Sequence, residues 1–448
     1  MKLYAPWEKA FNKIYTPFEH FLHAQTTTGI VLMSMTIIAL ILANTPLTDA
    51  YVHFFHTKIS FSFGSWELSQ TLHHWINDGL MAIFFFIVGL EIKREILVGE
   101  LSNIKIAILP ILSAIGGMLL PALIYMLFNP HGDASNGWGI PMATDIAFAI
   151  SALVLLGRRV SPALVTFLVA LAIVDDLGAV LVIAIFYTAE IHLDALLYAG
   201  LAFLTLVAFN RFGIRNVLVY FVVGVVLWVF MLESGVHATI AGVIAAMAIP
   251  SKPHHTPLDF TQHAKNLLAE YDNYPCTTDH MMHERQKAIL QNVKDRIDAV
   301  NSPAAKLEHD LHLPVSLIVI PLFALANAGI SIEFSSIGAT VLEPVALGVF
   351  LGLVLGKVLG IAGIAWIAIK LKIAQLPENS NMSQVFGVAF LGGIGFTMSI
   401  FVAELAFAGD ASLIFQSKVA ILAASLVSGA IGYIWLYRAS IKKEAQEE

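Results

Sequence analysis

Cysteine and charge are both scarce in this sequence. The single cysteine, Cys276, excludes an internal disulfide and a cysteine-based metal cluster. Only 13% of the 448 residues are charged whereas 58% are hydrophobic, and the mean hydropathy is +0.78. A water-soluble chain of this length needs a more polar surface, so the composition excludes the ordinary soluble class. The formal net charge of −7 does not indicate a nucleic-acid partner, and we predict none.

The start of the chain lacks the features of a cleavable secretion signal. Residues 1–25 are amphipathic and carry Lys2, Lys9 and Lys13, but they contain no apolar core followed by a small-residue cleavage site. We therefore expect them to form an amphipathic N-terminus on the cytoplasmic side.

Apolar runs of about 20 residues, the length that crosses a bilayer as a helix, recur along the whole chain. They predict an all-α polytopic membrane protein with about twelve transmembrane helices and membrane lipid around them. Helices one to eight fall within 26–250, and helices nine to twelve fall within 314–437. The predicted spans lie near 26–44, 72–91, 105–128, 140–156, 162–187, 195–209, 217–231, 236–250, 314–332, 345–369, 385–407 and 414–437.

Basic residues are concentrated in every second loop between these spans, and therefore on one side of the membrane. One set of loops holds Lys93, Arg94, Lys105, Arg158, Arg159, Arg211, Arg215, Lys370 and Lys372, and the other set holds almost only Lys58. By the positive-inside rule, both termini, the tail 438–448 and the long polar loop 251–313 are cytoplasmic. The segment 45–71 is then extracytoplasmic, and its alternating pattern predicts a small hairpin. We expect the bacterial cytoplasmic (inner) membrane.

The loop 251–313 has helical amphipathic patterns, such as HERQKAILQNVKDRIDAV. We interpret it as a tether with surface helices, and a regulatory or partner-binding role is the alternative. Its histidines lack the spacing of a zinc site.

Two consecutive aspartates, Asp175 and Asp176, fall in the middle of the span 162–187. A charge at the bilayer centre costs roughly 2.5–3.5 kcal/mol on insertion scales, so such residues normally face a cavity or a partner. Adjacent helical residues point about 100° apart, so one can face a pathway while the other faces a neighbouring helix. We interpret the pair as ion- or proton-binding; the structural alternative is two neutral, hydrogen-bonded acids.

A third acid, Asp145, follows Thr144 in a span that also contains Pro141. Proline breaks a helix, and irregular backbone inside a membrane is tolerated only where it packs against protein or lines a cavity. We therefore expect a broken helix whose freed carbonyl groups, with Thr144 and Asp145, serve as cation ligands.

A second interruption lies in the span 385–407. It contains Gly392, Gly393, Gly395 and Thr397. Paired interruptions in the two halves of a chain predict an inverted-repeat transporter whose two broken helices cross at mid-membrane. Close helix packing is the alternative explanation for the glycines.

Lys357 is the one basic residue at the centre of a span, next to a ridge of glycines every fourth residue from Gly348 to Gly360. The glycine spacing predicts close approach of another helix. Snorkelling of the lysine to the interface is an alternative, but its central position favours pairing with one of the acids.

Carboxylate, carbonyl and hydroxyl oxygens are hard ligands suited to a small hard cation. A ligand must lose its proton before it coordinates, so cation and proton compete, and alternating access converts that competition into exchange. The residues thus predict a sodium (or lithium)/proton antiporter, which is not an enzyme and has no cofactor. A proton- or sodium-coupled symporter of a small solute is the alternative.

Seven motifs carry a resemblance to a known family. They are FFFIVGLEIKRE (84–95), PMATDIAFA (141–149), ALAIVDDLGA (170–179), SGVHATIAG (234–242), PLFALANAGI (321–330), LGKVLGI (355–361) and GGIGFTMSIF (392–401). From about Thr26 to Tyr437, apart from most of 251–313, the chain resembles the NhaA family of Na+/H+ antiporters. The resemblance implies electrogenic exchange that rises at alkaline pH, and a homodimer formed partly through the extracytoplasmic hairpin.

The resemblance also implies roles for individual residues. Asp175 and Asp176 would carry Na+ and protons, with Asp176 the strongest cation ligand. Lys357 would pair with Asp175 and offset partial charges at the helix crossing, where Thr144 and Asp145 lie. A pH-response region would include Glu91, Glu95, Glu308, His309 and His312. His237 would be structural or modulatory, whereas the long loop and Glu404 depart from the family pattern.

Overall fold

The structure is a computed structural model, and it describes residues 25–64, 66–188, 191–253, 257–273, 284–331 and 337–447. The described residues are mostly helical, with one two-stranded sheet. The N-terminal amphipathic segment predicted for residues 1–25 lies, except for Gln25, outside the described residues.

The described residues of the first half of the chain contain nine helices, α1 to α9, and three 3₁₀ helices. Helix α3 is continuous but contains a π-helical turn, Trp75–Leu80, between Leu72–His74 and Met81–Leu97. The others are α1 (Gln25–Ala43), α2 (Thr48–His56), α4 (Ile104–Phe128), α5 (Ile146–Val154), α6 (Pro162–Phe186), α7 (Leu193–Arg211), α8 (Val217–Glu233) and α9 (Ile240–Ala248). Short 3₁₀ helices span Glu100–Ser102, Asp133–Met142 and Gly157–Arg159.

The second half adds seven labelled helices. They are α10 (Pro257–Asp272), α11 (Glu284–Val300), α12 (Pro303–Pro314 through a π turn Val315–Val319 to Ile320–Asn327), α13 (Pro344–Leu351 through π turns Gly352–Gly356 and Leu359–Gly363 to Ile364–Lys370), α14 (Met382–Leu391), α15 (Phe396–Ala406) and α16 (Ala411–Glu447). A short helix, Ile337–Thr340, precedes α13.

Eight helices among the described residues are long and apolar enough to cross a bilayer, or nine if α14 and α15 count as one bent span. The predicted count of twelve is therefore not confirmed. Of the remaining predicted spans, 72–91 falls on α3 with its π turn, and 217–231 falls on the 17-residue α8. The span 236–250 contains only the nine-residue α9, because turns at residues 234–239, including Gly235 with a φ of +79°, precede the helix, which begins at Ile240.

The outer surface of the helix bundle is apolar. In the apolar stretch of α7, only 17% of the residues are buried inside the protein. Its Leu197, Leu201 and Leu204 are 64%, 52% and 61% exposed. Apolar side chains on this scale at an outer face are typical of lipid-facing helices.

The glycine ridge of α13 packs against α4, in agreement with the predicted close approach. A Cβ atom on Gly356 would lie 2.7 Å from the Cα atom of Pro121, and one on Gly360 would collide with the carbonyl oxygen of Gly116. Backbone-to-backbone contact of this kind holds α13, and with it Lys357, in a fixed position.

The two polar segments contain regular structure. Strands β1 (Lys58–Phe63) and β2 (Trp66–Thr71) form an antiparallel hairpin in which Lys58 lies opposite Thr71. In the long polar loop, Arg285 of α11 forms an ion pair with Glu270 of α10 at 3.2 Å. Helix α12 begins at Pro303, so the end of the predicted loop is helical and continuous with the following span.

Candidate functional site

The two interrupted helical segments meet at their breaks. The first break lies between the 3₁₀ helix that contains Pro141 and helix α5, and the second is the 49° bend between α14 and α15. The backbone N–H of Asp145 donates to the carbonyl of Ile394 at 2.6 Å. The Ser399 hydroxyl donates to the carbonyl of Ile140 at 2.8 Å. Of the predicted break residues, Gly392, Gly395 and Thr397 lie against the first break, whereas Gly393 lies against the backbone of Leu353 in α13.

Asp145 joins the N-terminal ends of two helices. One of its carboxylate oxygens accepts from the backbone N–H of Phe148 at 3.1 Å and so caps α5. The other accepts from the backbone N–H of Thr397 at 3.0 Å and from its hydroxyl at 2.5 Å, at the start of α15. Because helix N-termini carry partial positive charge, a carboxylate is electrostatically suited to this position.

Lys357 pairs with Asp175. Its ammonium nitrogen lies 2.5 Å from an Asp175 carboxylate oxygen and 2.9 Å from the Thr144 hydroxyl. That hydroxyl is also 2.6 Å from the same Asp175 oxygen and 2.9 Å from the carbonyl of Gly392, at the C-terminal end of α14. The lysine charge therefore lies beside a carboxylate and, through the Thr144 hydroxyl, close to the partial negative charge of a helix C-terminus.

Asp176 differs from the other two aspartates in that both of its carboxylate oxygens lack a hydrogen-bond partner among the described residues, whereas Asp175 has one such oxygen. Its side chain is 1% exposed. It lines a cavity of about 130 Å³ together with Asp145, Thr397, Glu91 and His312. A buried carboxylate without a partner is energetically costly unless it binds a cation or a proton.

Of the five residues predicted for pH response, two line the cavity, two contact Arg94 and one is exposed. Glu91 and His312 line the cavity beside Asp176. Glu95 and Glu308 are joined by Arg94, whose position in the sequence predicts only that its loop is cytoplasmic: Arg94 lies 2.9 Å from Glu95 and 2.6 Å from Glu308. His309, on the same helix as His312, is exposed and is not among the cavity-lining residues.

His237 and Glu404 lie away from the three aspartates. The ring nitrogen Nε2 of His237 is 2.6 Å from the carbonyl oxygen of Tyr187, whose hydroxyl donates to the carbonyl of Asn136 at 2.7 Å. This contact ties α6 to the turn before α9. Glu404 forms an ion pair with Lys418 of α16 at 2.6 Å.

Comparison with known proteins extends the match beyond individual motifs. A family model described as Na+/H+ antiporter 1 matches residues 19–436. The chain belongs to this family. It is 71% identical over 437 residues to the Na+/H+ antiporter NhaA of Sulfurimonas denitrificans, covering 97% of this chain and 98% of that protein. It is 48% identical to NhaA 1 of Saccharophagus degradans and to NhaA of Dichelobacter nodosus, each covering 96% of this chain and 93% of the relative.

Membership of this family confirms the resemblance drawn from the seven motifs. Together with the apolar helices, it makes the chain a multi-pass membrane protein from a family of transporters.

Proposed function

We propose that this chain is a secondary active transporter that extrudes Na+ or Li+ in exchange for protons and thereby maintains sodium and pH homeostasis. The observation that carries the proposal is the buried Asp176 carboxylate, which lines a cavity without any hydrogen-bond partner in the described residues. Such a group must bind a cation, a proton or water, and a cation and a proton at the same oxygens exclude each other. The antiporter names of the relatives support the same function.

In this proposal Asp176 is the principal cation ligand and Asp175 is the second carrier. Na+ binding at Asp176 requires the ionised carboxylate, with further oxygens from Thr144, Asp145 or the backbone at the breaks. Lys357 is the counter-ion that stabilises Asp175 when that residue is ionised. When the site opens to the side of lower Na+ and higher H+, protons replace the cation.

The finer architecture belongs to the same proposal. We infer about twelve spans in the bacterial inner membrane, both termini cytoplasmic, and an inverted-repeat core around the crossing of the broken helices. The contacts between the first break and Ile394, Gly392 and Thr397 support this crossing. Exchange is electrogenic and increases at alkaline pH. Glu91, Glu95, Glu308, His309 and His312 form the pH-response region around Arg94.

We also propose a homodimer with the β1–β2 hairpin at its interface. Ile59 and Phe61 of β1 are 38% and 58% exposed, and both strands are edges of a two-stranded sheet. Exposed edges with apolar side chains are surfaces that pair with another chain.

The size of the cavity disfavours the alternative of a solute symporter. Pockets for organic ligands occupy about 300–1,000 Å³, whereas the cavity beside Asp176 occupies about 130 Å³. That volume suits an ion with a few waters.

The test uses everted membrane vesicles with a pH-sensitive dye in the lumen. Addition of Na+ or Li+ to wild-type vesicles is expected to release protons, whereas Asp176→Asn is expected to give no release. Asp194→Asn, which removes an exposed carboxylate at the start of α7, is the matched control and should behave as wild type. Absence of a wild-type response at every pH, with folded protein present, would refute the exchange function.

A further inference from the structure

One face of α15 leads away from the candidate site. Thr397, Phe401 and Glu404 are spaced at i, i+4 and i+7, so their side chains follow one side of the helix. Thr397 binds Asp145 and lines the cavity. Glu404 lies two turns further on, near the end of the helix.

A layer of three phenylalanines separates the cavity from that end of α15. The Phe401 ring is 5.6 Å from the Phe85 ring of α3 and 6.0 Å from the Phe323 ring of α12, centroid to centroid. Each of the three side chains is at most 1% exposed. The layer closes the pathway on this side, because a dry aromatic cluster offers an ion no ligands in exchange for its water.

A polar layer follows on the same three helices. Asn327 lies one turn beyond Phe323 on α12, and it exchanges side-chain amide hydrogen bonds of 2.8 Å and 3.3 Å with Asn77 of α3. The Nε2 atom of His73 is 3.0 Å from the Asn327 carbonyl oxygen. Asn77 and Asn327 are both buried. These residues lie at the ends of α3 and α12 opposite Arg94 and Glu308, which is the extracytoplasmic side in the proposed topology.

The charged pair Glu404–Lys418 completes this layer. The two side chains are only 16% and 12% exposed and lie 2.6 Å apart. Glu404 lies about one turn beyond Phe401 on α15, as Asn327 lies one turn beyond Phe323 on α12, so both follow the phenylalanine layer on the same side. Replacing a largely buried ion pair with apolar side chains is often neutral or stabilising, so the pair is weak evidence for a stabilising role.

We propose that this polar layer is the extracytoplasmic mouth of the exchange pathway and that Glu404 binds Na+ or Li+ there. A carboxylate and the amide oxygens of Asn77 and Asn327 are hard ligands suited to these ions. Lys418 holds the Glu404 carboxylate while the phenylalanine layer is closed, and the arriving cation replaces it. The inference rests on the exchange function proposed above.

The test measures the half-saturating Na+ concentration separately at the two faces of the membrane. ²²Na+ uptake into right-side-out vesicles with an acidic lumen reports the extracytoplasmic face, and everted vesicles report the cytoplasmic face. Glu404→Gln is expected to raise the half-saturating Na+ concentration about fivefold at the extracytoplasmic face alone. Glu404→Asp keeps the carboxylate and should reverse part of that increase. Glu343→Gln is the matched control, because Glu343 is an exposed acid preceding α13 on the same side.

Lys418→Gln is a second variant, for which the opposite change in the half-saturating Na+ concentration is expected. Loss of the competing ammonium should lower the half-saturating Na+ at the extracytoplasmic face, and this variant decides the matter if Glu404→Gln does not fold. Equal changes at both faces, or no change in either variant, would overturn the role of Glu404. Because wild-type exchange is measured alongside, such a result is distinct from failure of the exchange function itself.

Discussion

The ammonium group of Lys357 lies 2.5 Å from a carboxylate oxygen of Asp175, and both side chains are fully shielded from solvent. Asp175 precedes Asp176 in α6, so a paired and an unpaired carboxylate occupy consecutive positions of one helix. Their surroundings differ: Asp175 is held by Lys357 and Thr144, whereas neither carboxylate oxygen of Asp176 has a hydrogen-bond partner among the described residues.

Removal of Lys357 should destabilise the protein. Lys357→Met leaves the ionised Asp175 buried without its partner, and breaking a buried pair costs about 3–5 kcal/mol. The double variant Lys357→Met/Asp175→Asn removes both charges and should recover much of that loss. Thermal unfolding in detergent at neutral pH measures the stability of the single and of the double variant. A double variant no more stable than the single one would show that the pair is not the cause.

The contact between Thr397 and Asp145 should be sensitive to loss of one hydroxyl. Thr397→Val keeps the side-chain volume but removes the donor at 2.5 Å from the carboxylate. A hydrogen bond to a charged group contributes about 1.5–3 kcal/mol, so we expect a stability loss of that order and slower exchange. Thr397→Ser retains the hydroxyl and should remain close to wild type. Equal behaviour of the two variants would contradict a hydrogen-bonding role.

Two glycines of α13 offer a matched test of helix packing. A Cβ atom on Gly360 collides with the Gly116 carbonyl, whereas one on Gly363 meets no atom within 4 Å. Gly360→Ala should therefore lower stability by about 1–3 kcal/mol through overpacking. Gly363→Ala should be neutral or stabilising by up to about 1 kcal/mol, because alanine favours the helix. Similar melting temperatures for the two would argue against close α4–α13 packing.

Sodium affinity should fall as the pH is lowered. Under the proposed exchange, Na+ binds only the ionised form of Asp176, so protonation competes with it. Once the Asp176 carboxylate is mostly protonated, each further decrease of one pH unit should weaken Na+ binding about tenfold, because binding one ion displaces one proton. Binding of ²²Na+ to purified protein across a pH series measures this. An affinity independent of pH throughout would exclude direct competition.

The polar residues of the site were predictable because charge in an apolar span is costly. Asp145, Asp175, Asp176 and Lys357 are visible in the sequence against their apolar neighbours, and the structure gathers them around the two helix breaks. Their partners could not be inferred from spacing alone. Thr397, for example, lies 252 positions from the Asp145 it binds.

Other features depend on tertiary packing and leave little local signal. The phenylalanines of the aromatic layer resemble any lipid-facing or core residue in sequence. Arg94 has the pattern of a loop charge, although it bridges Glu95 and Glu308. The shortness of α9 follows from the turns at residues 234–239, which a hydropathy average over the span does not detect.

The buried Lys357–Asp175 pair also determines what the membrane voltage can act on. With Na+ on an ionised Asp176, the charges of Lys357, Asp175, Asp176 and the ion sum to zero. With a proton on Asp175 and on Asp176 instead, the site carries one more positive charge than it does with Na+, because Asp145 contributes equally to both states. A field of 100 mV does about 2.3 kcal/mol of work on one charge that crosses it fully. Under the proposed exchange, an interior-negative voltage would therefore favour inward movement of the proton-loaded site over inward movement of the sodium-loaded site.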